Sequence, residues 1–537
     1  MTDQPLDRGA RTSAPRASFP ERISICLALG ALLAGCTVGP DYEPPETYVP
    51  DDWHQEVVQG LGDGTGSLHT WWTTLGDPML ESLIDRAAAN NRELHVAIGR
   101  IAEAQALYGF SRGERYPDFD AAGAVQRQRS SADFRPKDPA TGNRSDSTET
   151  FRSLGFDATW EIDLWGRITR SIESAEAGYE SSIENYRDVL VVLFSDVATT
   201  YIQARAFQER IEFAEGNIKT QEGSLRLTSD RFRAELVGKL DVRQAELNLA
   251  TTEAFVPLLR QELMFTINRL SVLVGEPPGP LQEQMLIPKP VPEGTLDVTA
   301  GVPADLLRQR PDVRQAERDL AAASAQIGVA TADLYPRFSL TGFFAFEGTA
   351  DIFDSSKQAW AIGPAVRWNL FDGGRVRSAI KAEEARTEQA FANYENTVFV
   401  AIEEVENAMT AYVEEQIRRE SLRRSVTAAS ESVKLVNTLY RTGLTDFQNV
   451  LDTERSLFQQ EDALAESEGL VSENLVRIYR TLGGGWKADD DAEAPPEGEA
   501  SHDATLGAEP ATAGEAASQS ASGDHAAGGD VQTDEGA

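Results

Sequence analysis

The chain has 537 residues, 41% of them apolar and 25% charged, with a formal net charge of −36. That length and composition support a folded core, and the acidity argues against nucleic acid as a partner. Part of the charge sits apart from any core: after Lys487 come 13 acidic residues, no basic ones and almost nothing large and apolar. Residues 487–537 therefore read as an acidic disordered tail.

At the other end, Arg8, Arg11, Arg16 and Arg22 precede an apolar run from Ile23 to Leu33 that is too short to span a bilayer. This is the make-up of a signal peptide, here residues 1–35. Leu33-Ala34-Gly35-Cys36 resembles the lipobox of bacterial lipoproteins, in which cleavage leaves the cysteine as an acylated N-terminus. Thr37 in place of an aspartate fits delivery to the outer membrane. The other reading is a plain membrane anchor with a chance cysteine. Cys26 would leave with the signal, so the mature chain has no disulfide, as suits a chain with one modified cysteine in an oxidising periplasm. A covalent lipid on Cys36 is the only non-protein group expected; no cofactor or metal is. Residues 36–75, with the proline-rich VGPDYEPPETYVPDDW, read as lipid anchor and extended strap. Beyond the signal, no apolar run of 18 or more residues offers a transmembrane helix, so a membrane crossing would require strands.

An internal repeat organises the rest. RIAEAQALYGFSRGERYPDFDAAG (100–123) aligns with DLAAASAQIGVATADLYPRFSLTG (319–342), placing Tyr116-Pro117 on Tyr335-Pro336. At a constant offset of 208, Trp160 matches Trp368, Gly166-Arg167 matches Gly374-Arg375, Leu236 matches Leu444, Glu246 matches Glu454 and Gly275 matches Gly483. The first structural repeat spans 76–275 and the second 301–486, each with helices and two strands, joined by a proline-rich linker at 276–300.

Within each repeat the hydrophobic period changes from helical to two and back. Leu154, Phe156, Ala158, Trp160, Ile162 and Leu164 alternate with Ser153, Gly155, Asp157, Thr159, Glu161 and Asp163. The same alternation occurs around Phe338–Phe346 and Ile362–Leu370, and more weakly around Phe119–Val125. Each segment has the length of a tilted transmembrane strand, although half-buried strands of soluble proteins alternate similarly. After each second strand a long helix follows. Leu190, Val197, Ala204, Ile211, Ile218, Leu225 and Phe232 recur every seventh residue, and adding 208 gives Val398, Val405, Tyr412, Arg419, Val426, Val433 and Tyr440. These are coiled-coil seams, on helices reaching roughly 100 Å at 1.5 Å per residue. Short breaks, ELVGKLD and TGLTDFQ, turn each repeat back at a distal tip. A tube of that length meets a partner at its far end, so Leu236, Val237, Gly238, Leu444, Thr445 and Asp446 are the candidate docking tips. Four strands cannot close a barrel, and an open edge facing lipid leaves backbone groups unpaired, so several copies are needed. Two copies give a filled eight-stranded barrel; three give twelve strands and a lumen.

The motifs VPADLLRQRPDVRQAERDLAAASAQIGVATADLYPRFSL (302–340), EIDLWGR (161–167), WNLFDGGR (368–375), YRTGLTDFQNVLDTERSLFQQ (440–460) and LGGGW (482–486) resemble the TolC-like outer-membrane efflux factors, in their lipoprotein branch of OprM and NodT type. The resemblance covers roughly residues 36–486. It implies an α+β membrane protein: a homotrimer with a 12-stranded transmembrane β-barrel, four strands per chain, continued by a long α-helical coiled-coil periplasmic tunnel. It further implies docking onto a periplasmic adaptor protein and an inner-membrane pump of the RND type. Asp452 and Arg455, three apart on one helix face, match positions where the family places the periplasmic gate; the alternative is a solvated ion pair. Gln448 departs from the apolar residue often found at its position.

Other candidates are weaker. Tyr116-Pro117 and Tyr335-Pro336 end helices where the chain enters the sheet. The glycines of WGR and DGGR permit the bend back into helix, and GLGDGTG (60–66) lacks a dinucleotide fingerprint. Glu161 and Asp163 would make a polar wall rather than a catalytic pair. The functions in competition are a passive efflux duct, the exit duct of a protein-secretion system, an envelope hydrolase, and a static spacer. The repeat, strands and tips favour a duct.

Overall fold

The computed structural model describes residues 37–45, 49, 50, 53, 68–130, 139, 140, 142, 147–295, 308–349 and 355–487. The expected signal peptide, Cys36, parts of the strap and linker, and the acidic tail after Lys487 lie outside the described residues. In chain order come a 3-10 helix (Leu68–Leu75), α1 (Pro78–Asn90), α2 (Arg92–Gly113), β1 (Asp118–Ser130), β2 (Ser147–Ile162), α3 (Arg167–Arg233), α4 (Lys239–Leu273) and the short α5 (Pro280–Met285). The second half runs α6 (Pro311–Ala332), β3 (Arg337–Gly348), β4 (Gln358–Arg367), α7 (Arg375–Thr442) and α8 (Phe447–Thr481).

Local chemistry sets the boundaries. Asp77 caps α1 by accepting from the Met79 amide at 2.8 Å, with Pro78 in the first turn. Asn91 caps α2 in the same way through Leu94. The long helices α3 and α7 start at Gly166 (φ 79°) and Gly374 (φ 90°), left-handed positions that glycine adopts without a Cβ clash. The repeat extends to single hydrogen bonds. The Trp160 indole donates to the Arg115 carbonyl at 3.0 Å, and the Trp368 indole donates to the Leu334 carbonyl at 3.1 Å. In both repeats a tryptophan at the sheet end of the long helices thus closes the turn between a helix and the first strand of the repeat.

The four strands form one antiparallel sheet in the order β1-β2-β3-β4. Residues directly opposite each other share a face, so the register sorts the side chains. Phe119, Ala158 and Gly342 with Ile362, then Ala121, Phe156, Phe344 and Trp360, lie across one face. Asp120, Asp157 and Phe343, then Thr159 with Thr341 and Asp118, lie across the other. The period-two pattern is therefore coherent across the sheet, with one apolar face and one mainly polar or small. Glu161 lies on the polar face and forms a two-pronged pair with Arg167 at 2.9 and 3.2 Å, while Asp163 accepts from the Thr169 amide and hydroxyl. Both carboxylates hold the turn into α3.

The main core sits where the middle of α3 meets α1, α4, α8 and the 3-10 helix. Trp71 is fully buried and stacks on Tyr479 with ring centroids 5.4 Å apart. One stretch of α3 is long and apolar enough to cross a membrane by composition, yet 61% of it is buried. Leu193, Phe194, Val197, Tyr201 and Ile202 place it in the helical core. Of the heptad positions, Val197, Ala204, Val398, Val405, Tyr412, Val433 and Tyr440 are buried, Leu190, Ile211, Ile218, Leu225, Arg419 and Val426 are half-buried, and Phe232, at the tip end of α3, is exposed. The linker departs from the expectation of a plain connector. It contains α5, whose Leu281 and Met285 are fully buried, and the buried Arg205 donates to the Ile287 carbonyl at 2.9 Å. A buried arginine thereby ties the crossover between repeats to α3.

Along the antiparallel contact of α3 with α8 the pairing turns polar. Ser224 donates to Glu454, Asn217 to Glu461 at 2.5 Å, Arg210 to Asp462 at 2.8 and 3.1 Å, and Gln203 to Glu473 at 3.3 Å. The helices close in at Gly469, where a Cβ would stand 2.9 Å from the Ala206 methyl. Burial pushes the Glu473 carboxyl up to about 7, against the opposing effects of Gln203 and Arg477. Glu209 is also pushed up to about 7, first by burial and then by the charge of Glu468, its hydrogen bond to Glu468, and Glu212 and Glu293. Arg423 of α7 faces the same cluster and pairs with Glu468 at 2.8 Å.

Because both folded-state values lie above those of unfolded glutamate, the native state holds the extra protons. Stability is then fully present below about pH 4.5 and falls as pH rises through about 7. The slope is at most about 1.4 kcal/mol per pH unit for each group. Thermal midpoints in detergent should fall between mildly acidic and mildly alkaline buffer, and Glu209→Gln with Glu473→Gln should flatten that fall. An unchanged slope in the double variant would refute the assignment.

Candidate channel gate, docking tips and anchor

The two helical hairpins end side by side. Ala245 of α4, Tyr440 of α7, and Phe447, Val450 and Leu451 of α8 form one buried cluster, with Leu225, Val237 and Val436 packed against it. Each long helix closes with the same backbone device: the Leu236 amide returns to the Arg231 carbonyl, and the Leu444 amide to the Leu439 carbonyl, both at 2.9 Å. Of the predicted docking residues, Leu236, Gly238, Leu444 and Asp446 are exposed, whereas Val237 and Thr445 are half-buried. Leu236 and Leu444 keep 66% and 75% of their surface open, so the turns present apolar knobs to solvent.

A link that the sequence did not signal joins the hairpins just above the turns. Arg231 of α3 donates to the Tyr440 carbonyl of α7 and lies 4.6 Å over its ring, and the Tyr440 hydroxyl reaches Thr228 at 3.4 Å. Its one sequence cue was Tyr440 on the heptad seam; the arginine looks like any basic residue in a last helical turn.

One to two turns into α8, the helix faces divide. Leu451, Glu454 and Leu457 are buried against the neighbouring helices, and Gln448, Asp452 and Arg455 are exposed. Asp452 and Arg455 share this open side but do not pair with each other. Asp452 accepts from Gln448 at 2.9 Å, and Arg455 donates to Asn248 of α4 at 3.0 Å. The expected alternative of an intrahelical ion pair is not what the chain forms. Gln448, noted as a departure, orients the Asp452 carboxylate. Burial raises the pKa of Glu454, on the opposite side of α8, against the lowering effect of its bonds to Ser224 and Asn437.

Cys36 lies outside the described residues, but the chain immediately after it is firmly held. Thr37 packs on Gly166, and the Val38 amide donates to the Trp165 carbonyl at 3.0 Å, at the junction where β2 gives way to α3. Arg170, whose side chain is 5% exposed, donates to the Val38 carbonyl at 3.3 Å and pairs with Asp41 at 2.6 Å. Gly39 lies directly on the backbone of Gly328 in α6. Farther on, Tyr42 bonds Glu317 at 3.4 Å and Val49 packs with Val313 and Val398. These contacts continue the strap toward the helical core.

Among the described residues, no group of three His, Cys, Asp or Glu side chains is placed to hold a metal ion. A polar cleft of about 550 Å³ between α3, α7 and α8 is lined by Asp196, Glu404, Glu473, Arg477 and Arg480. Its acids and bases largely serve pairs such as Arg480 with Asp196 at 3.7 Å and Arg310 with Glu404 at 2.7 Å.

Comparison with known proteins places this architecture. The family model described as outer membrane efflux protein matches residues 83–276 and 302–484, one match for each repeat. Nodulation protein T of Rhizobium leguminosarum bv. trifolii is 31% identical over 454 residues, covering 84% of this chain and 94% of its own. The toluene efflux pump outer membrane protein TtgI of Pseudomonas putida is 31% identical over 477 residues, covering 85% and 96%. The solved outer-membrane channel OprN superposes with a TM-score of 0.76 at 35% identity, covering 84% of this chain and all of its own. The chain therefore belongs to the outer membrane efflux protein family, as a non-enzymatic outer-membrane channel with the TolC-like fold.

Proposed function

We propose that three copies of this chain form the outer-membrane duct of a tripartite efflux system. An inner-membrane pump of the RND type would load the duct through a periplasmic adaptor docked at the helical tips. The sheet carries this reading: it has one apolar face and two edge strands, and it continues into helices roughly 100 Å long. In the antiparallel order, β4 of one copy and β1 of the next run in opposite directions, so the ladder can continue across chains. Three copies give twelve strands and leave the polar face around a lumen. Small solutes are the favoured cargo because relatives such as TtgI are named for toluene efflux.

Acyl chains on Cys36 would lie beside the barrel, since Thr37 is fixed at the start of α3. Several acyl chains anchor firmly where one does not. At the tips, the exposed Leu236 and Leu444 supply the apolar contacts for the adaptor, with Val237, Gly238, Thr445 and Asp446 around them. Three copies of Asp452 and Arg455 around the axis would alternate in sign and bridge neighbouring chains. Within one chain they bond the neutral amides of Gln448 and Asn248 and not each other, which leaves both charges available for such a ring. Partner binding would open it by moving the α7–α8 hairpin as a unit.

Cys36→Ser should abolish metabolic labelling of the mature chain with a fatty acid, and persistent label would defeat the anchor assignment. Native mass spectrometry in detergent should give a trimer; a dimer or monomer as the sole species would contradict the barrel closure. Asp452→Ala combined with Arg455→Ala should raise single-channel conductance severalfold and sensitise cells to large antibiotics while the trimer persists. Wild-type conductance in an assembled double variant would place the gate elsewhere.

A further inference from the structure

Among the described residues, Glu235 is the one non-glycine with a positive φ, 62°. It sits where α3 closes at the first tip: its own amide bonds the Phe232 carbonyl and the next amide returns to Arg231, both at 2.9 Å. The second tip builds the same closure at the position 208 residues on, where Gly443 has φ 79°. A helix closure of this kind requires a left-handed residue, and glycine meets the requirement without strain. The backbone therefore gives no reason for a glutamate at the first tip. Its side chain must supply one, or the second repeat's solution would serve in both places.

Among the described residues that side chain has no partner: Glu235 is exposed and its carboxylate takes part in no hydrogen bond or ion pair with them. The adjacent arginines are engaged, Arg233 with Asp230 and Arg231 with Tyr440, while Lys239 across the turn is exposed. On either side stand the exposed leucines Leu236 and Leu240, with 66% and 67% of their surface open. A carboxylate held out by a strained backbone among apolar knobs is complementary to an apolar loop carrying a basic side chain.

We infer that Glu235 is a specificity-determining residue of the first tip, and that it pairs with a lysine or arginine on the adaptor loop that docks there. The inference rests on the tip-docking reading above and adds a difference between the tips: at this position of the closure the first tip offers a carboxylate where the second has Gly443. The test uses the full-length acylated protein in detergent, with the periplasmic adaptor that crosslinks to cysteines at Gly238 and Thr445 as the purified probe. Glu235→Gln keeps the backbone strain and removes the charge; Glu235→Gly removes both. Both variants should bind the adaptor roughly fivefold more weakly at low salt, with the difference shrinking at high salt. Glu235→Gly alone should raise the thermal midpoint. Glu235→Lys should lose more, and reversing the partnered basic residue on the adaptor to glutamate should restore binding. Wild-type affinity in Glu235→Gln, or a loss confined to Glu235→Gly, overturns the charge role and leaves tip docking standing. Absence of any adaptor crosslink at either tip overturns the docking reading itself.

Discussion

A backbone amide in hydrocarbon has no water to bond, so each strand facing lipid must find its hydrogen-bond partner in protein. A four-stranded sheet satisfies this on three ladders and leaves two edges. The apolar face formed by Phe119, Phe156, Phe344 and Trp360 places the sheet in lipid, and the free edges of β1 and β4 then require more chain than one copy holds. The helices follow from this as well. They emerge from β2 and β4 through the left-handed Gly166 and Gly374, so the sheet sets the direction in which α3 and α7 leave the membrane. The strap fastens at the same junction, with Arg170 tying Val38 and Asp41 to the first turn of α3.

Much of this was legible in the sequence because it is periodic or repeated. Alternation by two located all four strands, heptads located the α3 and α7 seams, and matched residues located the tips. Even the paired indole contacts of Trp160 and Trp368 are implicit in the alignment. What escaped was pairing between residues far apart in the chain. Ser224 meets Glu454 across 230 positions and Asn217 meets Glu461 across 244, and nothing in a local period announces such partners. Arg170 and Arg205 are buried, and each serves a carbonyl of an extended or looped segment far away in the chain. The linker was read by its prolines, and Pro280 in fact opens a helical turn that drives Leu281 and Met285 into the core.

The candidate gate was legible only in part. Spacing put Asp452 and Arg455 on one side of α8, and they are there, but spacing alone also favoured their pairing. Each instead bonds another side chain: Gln448 for the carboxylate and Asn248 of α4 for the guanidinium. Neutral amides take the place of opposite charge, so neither ion is neutralised by a partner among the described residues. This distinguishes the open side of α8 from surface pairs such as Arg418 with Glu415, where an i,i+3 bond does form at 2.8 Å.

The contact between α3 and α8 bears on how such a helix could move. An apolar seam loses its stabilisation only when much area is exposed, and it gives little directional preference. A seam of separate hydrogen-bonded pairs can exchange its partners one by one for water, each at a modest net cost. Between the apolar cluster at the tips, where Leu225 meets Val450 and Leu451, and the main core, the contact is of this second kind, with Glu454, Glu461 and Asp462 as acceptors for Ser224, Asn217 and Arg210. Toward the middle it becomes apolar, where Leu475, Val476 and Tyr479 join the main core. Apolar clusters thus hold this contact at both ends, and the polar stretch between them is the part that separates at the lowest cost per pair.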